Sequence, residues 1–248
     1  STLFPYTTLF RSYLAVKTGR SSVSVLRRLI LMMSVLLSSC AQQGRPISAS
    51  DYELPTLAPQ MADDLILVEK KIFDHPAMGT MLRYLDQSNP SDSISVYIYP
   101  INQVSWDNEL TTIEAELYRS LAEIDQAVKH GHYKSRNRET VSDFSVKAGH
   151  KTYVGMKAQL DIYNQLDHKY YSDIFVFVDQ DKFIKFRTSF NGEQSHFWTG
   201  DDIVFSILPK LRVPPESNYM RQLRNAHREK LERQLMDMLM KQTSEAPN

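Results

Sequence analysis

The sequence predicts an α+β domain: an antiparallel β-sheet flanked by helices, with a long helix toward the C-terminal end. Three observations lead there. Runs that alternate apolar and polar residues with a period of two recur between residues 65 and 190 and mark strands. One long stripe of period 3.6 interrupts them after residue 109, and further helical segments follow the last run. Strand–helix–strand units do not recur, so a parallel crossover sheet is not expected.

Taken in order, Leu65 to Phe73, Thr80 to Leu85 after Gly79, and Ser93 to Ile101 carry strand signals; in the third, Ile94, Val96 and Ile98 alternate with Ser95, Tyr97 and Tyr99. Leu110, Ile113, Leu117, Leu121, Ile124 and Val128 then fall at spacings of three and four, on one stripe of a helix that belongs on a sheet. Gly131 ends it, with Lys129 and His130 near the negative end of the helix dipole. After a polar loop, Val141 to Val146 is a weaker strand. In the strand Val154 to Ile162, Val154, Met156, Ala158, Leu160 and Ile162 form the face expected to be buried; Gly155, Lys157, Gln159 and Asp161 form the other.

Ser172 to Val178 and Phe183 to Phe190 flank Asp179-Gln180-Asp181-Lys182 and predict a hairpin. Its second strand sets Ile184, Phe186, Thr188 and Phe190 against Lys185, Arg187 and Ser189. Gly200-Asp201-Asp202 offers an N-cap and early acids for a helix carrying Ile203, Ile207 and Leu211. Beyond Pro214 and Pro215, Glu216 to Lys241 reads as a long helix with Met220, Leu223, Leu231, Leu235, Met238 and Leu239. Its stripe breaks at Ala226 and His227, which argues against a sustained coiled-coil seam. Packing on its own domain, or fraying, is expected ahead of a partner-binding role for a methionine-rich face.

The N-terminal part has a different composition. Arg27 and Arg28 precede an apolar stretch, Leu29 to Leu37, too short for the roughly 20 residues of a membrane span. Ser38 and Ser39 supply small residues before Cys40, the single cysteine of the chain. Leu37-Ser38-Ser39-Cys40 therefore resembles the cleavage box of a bacterial lipoprotein. That resemblance implies a diacylated sulfur at Cys40, and Ala41-Gln42 after it implies the outer membrane, with the domain facing the periplasm. Ser1 to Ser12 resembles the translation of a short-read sequencing adapter, and the native start is expected to be lost or to lie between Tyr13 and Val25. The expected organisation is residues 1–12 as artefact, 13–39 as signal region, 40–63 as a flexible tether, 64–212 as the α+β domain and 213–248 as the C-terminal helix and tail. Pro46, Pro55 and Pro59 favour an extended tether.

Lysine plus arginine equals aspartate plus glutamate at 29 each, so no net field draws the chain to nucleic acid, and none is expected as partner. His130-Gly131-His132, with His150 and His168 elsewhere, is the one histidine grouping of interest; without a HExxH helix it reads as cap and loop. Asp179 and Asp181 lack the glycine of a calcium loop and read as a charged turn. No Gly-x-Ser-x-Gly elbow occurs, and the eight glycines form no phosphate loop. Tyr97, Tyr99, Tyr170, Tyr171, Phe175, Phe177, Phe186 and Phe190 are expected in the core or over a sheet face ahead of a ligand cleft. No catalytic residue, metal ligand or cofactor site is assigned. A carboxylate pair close only in the folded state leaves no local spacing to read.

The order of elements over Leu65 to Leu211, with paired early strands and the Tyr171 to Phe190 hairpin followed by a closing helix, resembles the family containing PsbP and Mog1. The resemblance implies an antiparallel sheet between helices and a non-enzymatic binding or assembly role; no functional residue carries over. The expectation is a lipid-anchored envelope protein that binds an envelope partner. The alternative is an envelope hydrolase or metal-dependent enzyme with a site near His130 and His132.

Overall fold

A computed structural model describes residues 58–103, 109–194, 197–216 and 218–244. The strands are β1 (Met61–Ala62), β2 (Leu65–Ile72), β3 (Thr80–Asp86), β4 (Ser93–Pro100), β5 (Ser135–Ala148), β6 (Lys151–Tyr163), β7 (Lys169–Asp179) and β8 (Lys182–Asn191). The helices are α1 (Glu109–Lys129), α2 (Gly200–Ile207) and α3 (Asn218–Ser244). The strands form one sheet in the order β1-β2-β3-β4-β8-β7-β6-β5, with every neighbouring pair antiparallel. The α+β class and the antiparallel sheet are therefore as the sequence predicts. After β4 the chain crosses through α1 to the far edge, then β5 to β8 return strand by strand until β8 pairs with β4.

Alternation along the strands divides the apolar residues between two faces. On one face Leu82, Tyr84, Ile94, Val96, Ile98, Phe175, Phe177, Ile184, Phe186 and Phe190 pack with Ile203, Val204 and Ile207 of α2 and with Leu208 and Leu211 after it. On the other, Tyr99, Ala158, Leu160, Ile162, Ile174, Val176 and Phe183 pack with Ile113, Leu117, Leu121 and Ile124 of α1. Leu110, at the start of the expected stripe, is exposed.

Several expectations are corrected. The polar loop before Val141 is largely strand: β5 begins at Ser135, and a register shift between Asn137 and Glu139 lets it turn alongside β6. As an edge strand it needs no apolar residue on both faces. β6 is covered on both faces; Gly155, Lys157 and Asp161 are buried, whereas Val154 is exposed. Lys157 is covered by α2, whose Asp201 carboxylate accepts from its Nζ at 2.5 Å; Gly155 is closed by the Phe177 ring, and Asp161 pairs with Lys169 at 2.9 Å.

The cap of α2 is Thr199, whose side chain accepts from the Asp202 N–H while Asp202 accepts from the Thr199 N–H, a reciprocal capping box. α2 gives way to a tight turn at Leu208–Lys210, where Pro209 offers no N–H to continue the ladder. Leu211 is thus buried but lies beyond the helix. α3 is not packed along its own domain beyond its root, as described below.

Two glycines are fixed by close approach. Gly79 has φ +64, and a Cβ there would sit 2.0 Å from the Ile98 carbonyl oxygen. At Gly155 a Cβ would meet the Phe177 ring at 2.4 Å. Residues 59–62, inside the expected tether, belong to the sheet edge: Met61 and Ala62 pair with Ile66 and Leu65, and the Tyr84 hydroxyl donates to the Pro59 carbonyl at 2.9 Å.

Candidate functional site

The histidines stand at chain turns. His130 and His132 follow α1; the His130 ring Nδ1 lies 2.7 Å from the Gln126 carbonyl, and the His132 N–H donates to the Ala127 carbonyl at 2.9 Å. Gly131, at φ +74, donates to Val128, so the triplet is the helix terminus. His150 sits at the β5–β6 turn, on the far side of the 14 residues of β5, and His168 lies in the loop before β7. All four are exposed. Among the described residues no group of three His, Cys, Asp or Glu side chains is placed to hold a metal ion. The convergence that the enzymatic alternative requires is not formed by these histidines.

The eight aromatic residues do not share a cleft either. Phe175, Phe177, Phe186 and Phe190 lie under α2, Tyr99 lies under α1 with Tyr97 packed against that layer, and Tyr171 is exposed. A shallow depression of about 480 Å³ is lined by Glu109, Lys151, Thr152, Tyr153, Asp179 and Gln180. The Lys151–Asp179 ion pair, at 2.6 Å, spans its wall, and the same ammonium lies 4.3 Å from the Tyr153 ring centroid. The Lys151 and Asp179 charges are thus matched to each other.

Buried lysines were not anticipated by alternation. Lys185 lies between the sheet and α1, where Nζ donates to Ser120 Oγ at 3.1 Å and to Glu116 Oε1 at 3.4 Å. Glu116 also accepts two Arg119 bonds, at 2.6 and 2.8 Å, and one from the Tyr99 hydroxyl. Burial pulls the Lys185 ammonium below the usual lysine range, and Glu116, then Glu123, oppose that pull. For Arg119 burial pulls down as well, but Glu116 outweighs it and the net direction is up.

Lys182 is fully buried at the β7–β8 turn, where Gln180 takes φ +57 and the charged hairpin forms as read. Its Nζ donates to Asp181 Oδ1 at 2.5 Å, Pro214 O at 3.0 Å and Pro215 O at 2.8 Å, using all three ammonium hydrogens. This clasp fixes the segment from which α3 departs. Arg224 on the first turns of α3 adds bonds to Glu216 Oε1 at 2.6 Å and to the Gln103 carbonyl at 3.1 Å, and Met220 is buried beneath.

Past this root α3 presents its side chains to solvent from Arg228 to Met240. Leu231, Leu235, Met236, Met238, Leu239 and Met240 are 49–66% exposed, far more apolar surface than a solvated helix needs. Leu231, Leu235 and Met238 follow one another at spacings of four and three on a single stripe. Packing on the domain, the arrangement expected first, therefore stops at the root of the helix. Cys40 and the preceding Leu37, Ser38 and Ser39 lie outside the described residues. No helix among the described residues is long and apolar enough to cross a membrane.

No protein-family model and no curated protein matches the chain. Among solved structures it is similar to the solution structure of cyanobacterial PsbP (CyanoP) from Synechocystis sp. PCC 6803, with 17% identity and a TM-score of 0.37 over 53% of this chain and 72% of that one. A likeness of that size carries no function to this chain.

Proposed function

We propose that the chain is a lipid-anchored protein of the bacterial envelope, held through Cys40 in the outer membrane and facing the periplasm, and that it acts as a non-enzymatic binding or assembly module. The order Arg27-Arg28, apolar stretch, Leu37-Ser38-Ser39-Cys40 supports the anchor. The observation that carries the binding role is α3, whose root is clasped by Lys182 and whose Leu and Met side chains beyond Arg228 are left exposed. A partner with an apolar groove would bury them, as grooves bury amphipathic helices. Anchoring confines the helix to a thin layer and raises its effective concentration toward envelope partners.

Metabolic labelling with palmitate tests the anchor. Cys40→Ser should lose the label and move from the membrane to the soluble fraction; unchanged membrane retention defeats the anchor. Crosslinking in envelope preparations tests the surface. Leu235→Ser with Met238→Ser should abolish a discrete crosslinked species while shifting stability by no more than about 0.5 kcal/mol, as exposed positions do. Capture that survives both changes defeats the role given to α3.

A further inference from the structure

The two edges of the sheet differ. β1 is two residues long, and next to it Gln60 closes on Leu67, accepting its N–H at 2.9 Å and donating Nε2 to its carbonyl at 3.0 Å; a register shift follows between Leu67 and Glu69. β5 has 14 residues and runs in regular register with β6 from Glu139 to Ala148. Alternate residues of an edge strand aim their N–H and C=O groups away from the sheet. Among the described residues, no hydrogen bond from outside β6 reaches the main chain of 139–148.

The side chains on this edge form a pattern. Asp143, Ser145 and Lys147 are exposed on one face. On the other, Val146 is buried, and half-buried Phe144 stacks against Phe205 of α2, with ring centroids 5.6 Å apart and Phe205 49% exposed. The edge thus combines open backbone groups with an apolar rim beneath them.

We propose that β5 is the pairing edge for a second copy of this chain, joined antiparallel about a twofold axis through Ser145. In that register Asp143 of each copy faces Lys147 of the other, twice over, and Phe144 faces Val146, twice over. A centre at Asp143 or at Lys147 sets two like charges opposite each other, which destabilises a strand pair. Centres at Phe144 or Val146 place both charges opposite uncharged residues. A centre at Asp143 also sets Lys147 opposite Glu139 but keeps the Asp143–Asp143 clash, so Ser145 is the one of these five centres that pairs opposite charges without opposing like ones, and a pattern complementary to itself points to a second copy as occupant.

The test uses the full chain carrying Cys40→Ser, so that dimerisation is read independently of the lipid. Adding Ser145→Cys should give a disulfide-linked dimer under mild oxidation, because facing Cα atoms in an antiparallel pair lie about 4.5–5.5 Å apart, within disulfide reach. Asp143→Cys in the same background should not link. In sedimentation equilibrium the Cys40→Ser chain should dimerise, Asp143→Lys should weaken self-association by about tenfold or more with an unchanged circular dichroism spectrum, and Asp143→Lys with Lys147→Asp should restore it. A chain that stays monomeric at tens of micromolar with no Ser145→Cys link overturns the proposal. So does a dimer indifferent to Asp143→Lys, or one lost on Leu235→Ser, which would seat the second copy, or another occupant, on α3.

Discussion

Under α2 the sheet is covered by rings and branched chains: Phe177 meets Phe186 edge-on at 6.3 Å, and Ile203, Val204 and Ile207 close over them, while Lys157, paired with Asp201, and Asp173, bonded by Gln159, stand near the start of the helix. Under α1 the same sheet carries Lys185 in its interior, beneath a helix that brings Glu116, Arg119 and Ser120 onto it. Both faces carry charge, but Phe186 on the first is surrounded by apolar groups and Lys185 on the second by charged ones. Loss of volume is the vulnerable change at Phe186; loss of charge is the vulnerable change around Lys185, which is coupled to pH.

Phe186→Ala should break the apolar face with the largest effect. Phe186 is fully buried, and truncating such a ring costs about 3–5 kcal/mol, the lost transfer energy plus the cavity left behind. Urea unfolding should show a loss of about 4 kcal/mol that changes little between pH 6 and pH 10. A loss below about 1.5 kcal/mol would mean that this face repacks around the gap.

Glu116→Ala should cost nearly as much at neutral pH, about 3 kcal/mol, because it strands a buried ammonium with Glu123 3.9 Å away and two cations, Arg119 and Arg187, acting on it. Its pH dependence separates it from Phe186→Ala. Lys185 already titrates below the unfolded lysine, so between its folded value and about 10.4 the unfolded chain holds more protons and stability rises with pH. Removing Glu116, which holds the folded value up, widens that window. The deficit of the variant should therefore shrink as pH rises toward 10. A deficit constant in pH would show that packing, not charge, is what Glu116 contributes.

Much of the fold can be read from the chain. The strands β2, β3, β4, β6, β7 and β8 and the helix α1 lie where apolar spacing puts them. What escapes the reading is instructive. Lys185 alternates out of phase with Ile184 and Phe186, which places it on the opposite face, and period alone cannot say that α1, 69 residues away along the Lys185–Glu116 pair, covers that face too. A signal was present in the helix: Glu116 and Ser120 fall at stripe spacing from Ile113, so an acid and a hydroxyl sit among residues bound for the core. The cap of α2 was readable as well, since Thr199-Gly200-Asp201-Asp202 is a capping box displaced by one residue from the cap first chosen. The early half of β5 was not, because an edge strand with solvent on one side needs little apolar alternation to form. The exposure of α3 was not either, for helix formers with scattered Leu and Met look the same packed or unpacked.

The finest test of the comparison is Tyr99, whose ring belongs to one chemistry and whose hydroxyl belongs to the other. The ring packs at 5.5 Å from Phe183 in the apolar layer beneath α1, while the hydroxyl donates to Glu116. Tyr99→Phe keeps the ring and removes one donor from a carboxylate that retains two bonds from Arg119 and one from Lys185. A hydrogen bond to a charged group contributes about 1.5–3 kcal/mol when its loss orphans the acceptor, and less when other donors remain, so the expected loss is about 1 kcal/mol. The phenylalanine leaves Lys185 and Glu116 in contact, so the rise of stability with pH should keep its slope. If the slope steepens as it does in Glu116→Ala, the hydroxyl is what positions the carboxylate against the ammonium, and the two layers under α1 are one cooperative unit.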